Sequence, residues 1–229
     1  MFFPEKITLI GPDDRVLEVG PGGLPHPRSD VFLELKFDDE EEWMLQRGKA
    51  DKLKTDKPVV YYDGGAFPFK TLEFDYIICS HVLEHAEDPE QFLSEMFRVA
   101  PKGYIEYPTI YYEYIYNFKV HLNIIKLQKD QLMYLRKDRT PFDEFSPVQL
   151  LFRDSLEKGH NDLVDDLKSY MFEGFEWTAP FQVKETSRIK DLTWNGYELP
   201  DHDECTSRKV NIKKLLLRKI AERLGNLTH

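Results

Sequence analysis

The feature that most constrains the fold is a short apolar run that stops at a glycine-rich turn. Arg15–Val19 is followed at once by Gly20–Gly23, which includes Pro21 and Gly22. A buried strand that ends in a tight turn has this pattern. Because glycine has no Cβ, the backbone of such a turn can approach a ligand closely. The segment therefore predicts a covered strand that ends in either a binding loop or a purely structural turn.

Further strands alternate with helical segments downstream. Four more segments have the composition of short buried strands: Val31–Leu35, Pro58–Tyr62, Phe74–Cys79 and Gly103–Tyr107. Asp38–Lys54 predicts an exposed helix, and the apolar spacing within Pro89–Val99 predicts another. This alternation favours an α/β fold with a mainly parallel sheet and helices on both faces. A ligand of such a sheet binds beyond the carboxyl ends of the strands.

The second half of the chain has a different pattern. The predicted elements are a β-hairpin of Phe118–Leu127 and Leu132–Arg136, helices at Ser146–Glu157 and Asn161–Met171, a late strand at Phe175–Val183 and a basic amphipathic helix at Lys209–Leu224. Ser146 and Asn161 are the predicted caps of their helices. We interpret the chain as one domain with its core at 14–108, an insertion or lid at 110–172, and a late strand and terminal helix at 173–229.

Charge and cysteine content narrow the classes of partner. The chain has 229 residues, a formal net charge of −10 and two cysteines. A negative field repels phosphate backbones, so nucleic acid is not expected as a partner. No segment has the pattern of a signal peptide or the ~20 apolar residues of a bilayer span. We expect a reduced, cytoplasmic protein, with weak peripheral membrane contact as an alternative use of the basic helix. The sequence indicates no oligomeric state.

Acidic residues stand at three strand ends, where a ligand is expected. Glu18 lies in the first strand, Glu34 near the end of the second, and Asp63 after the third. Glu34 could accept hydrogen bonds from both ribose hydroxyls of an adenosine, and Asp63 one from the amine of an adenine. The plainer alternatives are a solvated carboxylate for Glu34 and an Asp-Gly turn for Asp63. A dinucleotide pyrophosphate is disfavoured because Pro25 stands where the third glycine of its motif would fall.

The segment at the fourth strand is the most distinctive. It runs Phe-Asp-Tyr-Ile-Ile-Cys-Ser-His-Val-Leu-Glu-His over 74–85, after Leu-Glu-Val-Gly-Pro-Gly over 17–22 and Asp-Gly-Gly-Ala-Phe-Pro-Phe over 63–69. In this order the three motifs resemble class I S-adenosylmethionine-dependent methyltransferases, especially the subgroup called methyltransferase type 11. The resemblance covers residues 14–108, under half of the chain. It implies a Rossmann-like class I methyltransferase sheet and S-adenosylmethionine as the cofactor.

The resemblance also implies which residues contact that cofactor. They are Glu18, Gly20, Pro21 and Gly22 for the methionine moiety, Glu34 for the ribose, Asp63, Gly64, Ala66 and Phe67 for the adenine, and Ser80 and His81 beneath the sulfonium. No metal ligand is expected.

The first crossover departs from the family pattern. Eleven residues, Gly20 to Asp30, separate the glycine turn from the second strand, and three of them are prolines. The usual distance from the turn to the ribose acid is ~20 residues. We therefore expect the first crossover helix to be truncated or absent, which leaves His26 and Arg28 as candidate replacements for its cofactor contacts.

Methyl transfer from a sulfonium mainly requires alignment of nucleophile, methyl and sulfur. A hydroxyl acceptor would benefit from a general base, for which the candidates are His81, His85 and Glu106. Either histidine could instead cap a helix or pack. A group of tyrosines follows the fifth strand and could contact an acceptor or pack a lid against the sheet: Tyr104, Tyr107, Tyr111, Tyr112, Tyr114 and Tyr116.

The expected activity is transfer of a methyl group to a small-molecule acceptor. The acidic charge favours O-methylation of a sugar, a lipid-linked intermediate or a secondary metabolite over a nucleic acid. Two alternatives belong to other classes. One is a catalytically inactive binding or scaffold protein with the same fold, which the short crossover would suit. The other is a nicotinamide-dependent dehydrogenase, against which Pro25 argues.

Overall fold

The computed structural model describes residues 1–37 and 53–193. Its main sheet has six strands in the order β3-β2-β1-β4-β5-β8. They are β1 (Val16–Val19), β2 (Val31–Leu35), β3 (Val59–Tyr62), β4 (Tyr76–Ser80), β5 (Gly103–Pro108) and β8 (Phe172–Trp177). The first five pair in parallel, and β8 runs antiparallel to β5. The predicted α/β fold with a mainly parallel sheet is confirmed.

One face of this sheet packs against helix α1 (Pro89–Val99). Leu17 and Ile77, which are register partners in β1 and β4, belong to the same buried cluster as Leu93 and Met96 of the helix. The helix begins at a proline in its first turn, a position where the missing N–H costs nothing. Its bounds are those that the apolar spacing predicted.

Part of the opposite face is covered by residues of the amino-terminal segment. Ile7 and Ile10 pack against a buried cluster that includes Val16 and Tyr76. The described crossover between β1 and β2 contains turns and no helix. The predicted loss of the first crossover helix is therefore confirmed, and the amino-terminal segment covers part of the sheet instead.

A second, smaller sheet follows in the order β6-β7-β9. Its strands are β6 (Asn123–Gln128), β7 (Gln131–Arg136) and β9 (Gln182–Glu185). The remaining α-helices are α2 (Ile110–Tyr116), α3 (Ser146–Glu157), α4 (Asp162–Asp166) and α5 (Lys168–Met171). Short 3-10 turns lie at Pro4–Lys6, Leu83–His85, Lys137–Arg139, Phe142–Phe145 and Ile189–Asp191.

Several predictions for the second half need correction. The hairpin is confirmed, but its first strand begins at Asn123 because Phe118 packs in a separate aromatic cluster. The single late strand is wrong: β8 and β9 are distinct strands in different sheets, with Pro180 between them. The predicted helix Asn161–Met171 breaks into α4 and α5 at Leu167.

Neither predicted helix cap makes the expected hydrogen bond. Ser146 lies inside α3, whose N-cap is Phe145, and no side chain caps that helix. Asn161 is the N-cap of α4, but its side chain makes no capping hydrogen bond.

Some predictions fall outside the described residues. These are the helix at Lys209–Leu224, nearly all of the helix at Asp38–Lys54, and Cys205. Within the described ranges, no helix has the length and hydropathy that crossing a bilayer requires.

Candidate functional site

The carboxyl ends of β1 to β5 share one edge of the main sheet because these strands are parallel. After β1 the chain turns toward β2, and the Gly20 N–H donates to the Leu33 carbonyl at 2.8 Å. Gly20 and Gly22 have φ of 60° and 61°. This left-handed region carries a Cβ penalty for other residues, so the local conformation requires glycine. The predicted glycine turn thus lies at the carboxyl edge with a left-handed backbone, and its role as a cradle for a cofactor stays a prediction.

Glu18 points into the first crossover. It is 3% exposed, and its Oε2 accepts hydrogen bonds from the His26 N–H at 2.9 Å and the Ser29 hydroxyl at 2.6 Å. Burial raises the pKa of this carboxyl, although both hydrogen bonds act in the opposite direction. The carboxylate therefore stabilises the short crossover, and its role toward a methionine amine stays a prediction.

The ends of β2 and β3 bring two predicted acids to the same edge. Glu34 is half-buried and lies opposite Tyr61 in the sheet register. Asp63, Gly64 and Ala66 form an exposed turn directly after β3, with Gly64 at a φ of 87°. The fold thus places the residues predicted for ribose and adenine beside the glycine turn, and their contacts with a cofactor stay predictions.

Phe67 does not present its ring to this edge. It is 2% exposed and lies edge-to-face with Tyr62 and Phe92, each at 5.4 Å between centroids. Its N–H donates to Glu95 Oε2 at 2.7 Å. The predicted contact of Phe67 with an adenine needs correction as far as its ring is concerned, because the core already encloses the ring.

The two candidate replacements in the crossover have structural partners. The Arg28 guanidinium donates to the carbonyls of Gly11 and Pro12 at 3.1 and 3.2 Å. His26 contributes its N–H to Glu18, and its Nδ1 lies 3.3 Å from the Arg28 N–H nitrogen. Both residues therefore hold the crossover in place.

The ends of β4 and β5 form a more strongly charged region. His81 has a φ of 58°, unusual for a residue with a side chain and often found at functional sites. Its Nε2 lies 3.0 Å from Glu106 Oε1, and its Nδ1 lies 3.4 Å from Glu84 Oε1. Burial lowers the pKa of His81, but the two carboxylates outweigh it and the net shift is upward. His81 is therefore held between two buried carboxylates.

Glu106 is fully buried and accepts hydrogen bonds from the amino-terminal segment and from residues of β4 and β5. Beyond His81, its donors are the N–H groups of Phe2 (2.7 Å) and Phe3 (2.9 Å), the Ser80 hydroxyl (3.0 Å) and the Tyr104 hydroxyl (2.7 Å). Burial alone would raise its pKa, but His81 and these donors lower it to about 2. Glu106 is thus an ionised anchor, and its predicted role as a general base remains untested.

Glu84 and His85 lie in the 3-10 turn that follows β4. Glu84 is fully buried, and neither of its oxygens has a hydrogen-bond partner among the described residues. Burial would raise its pKa, yet three neighbouring imidazoles lower it to about 2: His81, His85 and His121. The His85 Nδ1 lies 2.9 Å from the Val120 carbonyl oxygen. The turn therefore places a buried negative charge among imidazoles.

Comparison with known proteins bears on what this edge does. A family model described as a methyltransferase domain matches residues 37–105. A demethylmenaquinone methyltransferase from Renibacterium salmoninarum is 33% identical over 94 residues, which are 40% of this chain and 39% of that protein. Residues 37–105 are therefore similar to a methyltransferase domain. S-adenosylmethionine is the cofactor that this domain implies, as the motifs predicted.

Solved structures show weaker likeness. The YcgJ protein from Bacillus subtilis is 17% identical, with 45% of this chain and 50% of that chain covered at a TM-score of 0.32. An S-adenosylmethionine-dependent methyltransferase from Thermotoga maritima is 19% identical, with 48% and 50% covered at a TM-score of 0.31. This chain thus covers half or less of the length of each of these proteins. The sheet order described above, and not these scores, supports the fold assignment.

Most of the tyrosines in β5 and after it are packed. Tyr104, Tyr107 and Tyr116 are buried in the core, and the Tyr107 hydroxyl donates to Glu173 Oε2 at 2.8 Å. Tyr112 stacks on Phe118 at 5.7 Å. Packing between the sheet and the following segment, which the sequence offered as one alternative, describes these side chains.

Four residues near the β4–β5 ends were missed or given little weight at the sequence level. Phe2 and Phe3 reach Glu106 across more than a hundred residues, which no local pattern reveals. Glu113 carries no motif, and His121 lies in a segment without recognisable chemistry. We find no sequence signal that identifies these four residues.

Proposed function

We propose that the chain is an S-adenosylmethionine-dependent methyltransferase that acts on a small, uncharged acceptor. The carrying observation is one edge that combines the left-handed turn at Gly20 and Gly22 with Glu34 and Asp63 at the next strand ends. This arrangement fits the cofactor: the turn accepts close backbone approach, and the two acids suit a ribose diol and an adenine amine. When bound, the cofactor supplies an electrophilic methyl group on a sulfonium.

The residues at the β4–β5 ends contribute rigidity and charge. Since both nitrogens of His81 face carboxylates, this ring is better suited to fix the edge than to take a proton from an acceptor. Alignment of acceptor oxygen, methyl and sulfur can supply ~7–11 kcal/mol of barrier reduction without a base. We therefore infer that positioning carries the reaction, with proton acceptance by His81, His85 or Glu106 still to be tested.

The proposed acceptor rests on the net charge of the chain and on its similarity to one known methyltransferase. A net charge of −10 supports an uncharged sugar, lipid-linked intermediate or secondary metabolite methylated on oxygen. The match to a demethylmenaquinone methyltransferase adds a quinone to the acceptors worth assaying.

The test is calorimetric titration of the purified chain with S-adenosylmethionine, S-adenosylhomocysteine and, separately, a nicotinamide dinucleotide. We expect saturable binding of the first two and none of the third. Asp63→Asn and Glu34→Gln should each weaken binding by about tenfold to a hundredfold, since a hydrogen bond to a charged group contributes about 1.5–3 kcal/mol. Asp154→Asn, an exposed change in α3, is the matched control.

A scaffold protein remains the second candidate because one observation favours it. The crossover that normally adds cofactor contacts has no helix here, and its polar groups bond to each other. If the chain binds neither S-adenosylmethionine nor S-adenosylhomocysteine, and no nicotinamide dinucleotide either, the result would support a scaffold protein. It would overturn the enzyme proposal.

A further inference from the structure

A cluster of two histidines and one glutamate lies beside the β4–β5 ends. One potential ligand atom each from Glu84, His85 and His121 lies within 4.8 Å of the others. We propose that these three residues bind a divalent transition-metal ion. The sequence motifs predicted no metal site, and the inference depends on a juxtaposition that only the fold creates.

The strongest indication is the state of Glu84. Its side chain is fully buried, and among the described residues neither carboxylate oxygen has a hydrogen bond. The nearest ring nitrogen is His81 Nδ1, 3.4 Å from Oε1. Buried carboxylates are normally paired, hydrogen-bonded or bound to a metal, since desolvation of an isolated charge is costly. The His81 ring is an ion-pair partner at 3.4 Å that makes no hydrogen bond to Glu84, so a cation at the cluster would give this carboxylate a closer partner.

The two imidazoles are held in the manner of metal ligands. His85 Nδ1 lies 2.9 Å from the Val120 carbonyl oxygen, and His121 Nδ1 lies 2.5 Å from Glu113 Oε1. Histidines that bind metals typically direct their other nitrogen at a backbone carbonyl or a carboxylate, which fixes the ring and its tautomer. With Nδ1 so engaged, Nε2 is the nitrogen through which each ring would bind.

The carboxylate that contacts His121 is itself held in place. Glu113 is fully buried, and its other oxygen lies 2.7 Å from Lys137 Nζ. The rings of His85 and His121 are perpendicular, with centroids 4.8 Å apart. This support fixes the ring positions before any ion arrives, which reduces the cost of assembling the site.

The donor set selects the class of ion. Two imidazoles and one carboxylate suit zinc, iron, cobalt or manganese, whereas calcium and magnesium favour oxygen ligands. Three protein ligands also leave coordination positions for water or another oxygen. The site is therefore of the kind that can polarise a bound molecule.

A role for the ion follows if the proposed function holds, and this step depends on it. Glu84 and His85 lie in the 3-10 turn after β4, so the ion would lie near the edge where the acceptor is expected. A bound acceptor hydroxyl would lose its proton to solvent more readily. An ion held by Glu84, His85 and His121 would thus supply a more nucleophilic acceptor oxygen for attack on the methyl group.

The competing explanation is purely electrostatic. Protonated His81, His85 and His121 could balance the charges of Glu84, Glu106 and Glu113 without any metal. That arrangement predicts no stoichiometric ion binding, so the two explanations separate in a direct measurement.

The experiment uses the full chain, stripped with a chelator and titrated with Zn²⁺ by calorimetry and with Co²⁺ by visible absorption. We expect one ion per chain, with Co²⁺ bands typical of nitrogen and oxygen ligands. His85→Ala and His121→Ala should each weaken binding at least about tenfold, and Glu113→Gln by about 10–100-fold. His160→Ala, an exposed histidine after α3, should bind like the wild type.

A second readout guards against variants that fold poorly. Saturating Zn²⁺ should raise the thermal midpoint of the wild type and of His160→Ala, but not that of Glu84→Gln. Absent ion binding by the wild type, or equal affinity in His121→Ala, overturns the proposal. The metal titration contains neither S-adenosylmethionine nor S-adenosylhomocysteine, so that result would not affect the cofactor proposal. Conversely, loss of S-adenosylhomocysteine binding alone would not affect the proposed metal site.

Discussion

The two halves of the carboxyl edge stabilise their buried carboxylates in different ways. At the β1 end, Glu18 is the principal buried acid, and its partners are neutral groups of the neighbouring crossover, His26 N–H and Ser29 hydroxyl. At the β4–β5 end, Glu84 and Glu106 are buried around one imidazole, His81. One end is a backbone cradle stabilised locally, and the other is a charge network assembled from distant segments.

The difference affects what each end can do. Burial raises the pKa of Glu18, whereas the pKa values of Glu84 and Glu106 are lowered to about 2 by cationic neighbours despite similar burial. The Glu18 carboxylate at the β1 end can therefore be neutralised by protonation as the pH falls toward its raised pKa. At the β4–β5 end, neighbouring imidazoles favour the charged form of Glu84 and Glu106, whereas burial disfavours the charged form of Glu18.

The largest expected effect comes from breaking the charge network. Glu106→Ala removes the acceptor of five donors, two of them the backbone N–H groups of Phe2 and Phe3. We expect the free energy of unfolding in urea to fall by about 3–5 kcal/mol, because the remaining buried groups lose their partner.

Glu176→Ala is the matched control for that change. Glu176 also accepts from the amino-terminal segment, at Thr8 and Leu9, and from the Tyr76 hydroxyl, but it is partly exposed. Water can replace it, so a loss of about 1 kcal/mol is expected. Equal losses in the two variants would contradict the view that burial makes the Glu106 network costly to break.

A smaller effect should come from straining the cradle at the β1 end. Gly20→Ala places a Cβ on a residue with a φ of 60°, which costs about 1–2 kcal/mol in the left-handed region. Gly65→Ala is the control, since its Cβ would meet nothing within 4 Å and its φ carries no such penalty. Thermal unfolding of both variants would test this. A Gly20→Ala variant as stable as Gly65→Ala would show that the turn adapts, which would weaken its assignment as a fixed cradle.

The same contrast explains how much the sequence could predict. The bounds of β2 and α1 were predicted to the residue, because alternation and helical spacing are local signals. The glycine turn was predicted for the same reason. The packing of Phe67 was not predicted, because the segment around it, 63–69, has the composition of a loop. Only the neighbouring rings of Tyr62 and Phe92 bury its side chain.

Long-range partners escaped prediction entirely. The anchoring of Phe2 on Glu106 joins positions 104 residues apart, and His121 approaches Glu84 only because the hairpin returns to the β4 end. Neither contact leaves a pattern at a fixed spacing. The local structure of the β1 end is therefore largely predictable from the sequence, whereas the charge network of the β4–β5 end depends on tertiary structure.

The smallest expected effect is a pH dependence at the β1 end. Because burial holds the pKa of Glu18 above its usual 4.5, the folded state binds this proton more tightly than the unfolded state. The associated stability is present below the unfolded pKa and is lost as the pH rises through the folded value. Glu18→Gln cannot titrate, so the wild type should lose stability relative to this variant as the pH rises from about 4 toward neutrality, by about 1.4 kcal/mol for each unit separating the two pKa values.

Ser29→Ala sharpens that test with an effect of known sign. The Ser29 hydroxyl stabilises the charged carboxylate, so its removal should raise the folded pKa further and extend the loss of stability to higher pH. Urea denaturation across the pH range measures both differences. A wild-type curve parallel to that of Glu18→Gln would mean that Glu18 keeps its proton equilibrium on folding. The β1 end would then resemble the β4–β5 end, where the carboxylates stay charged, and the contrast between the two halves of the edge would fail.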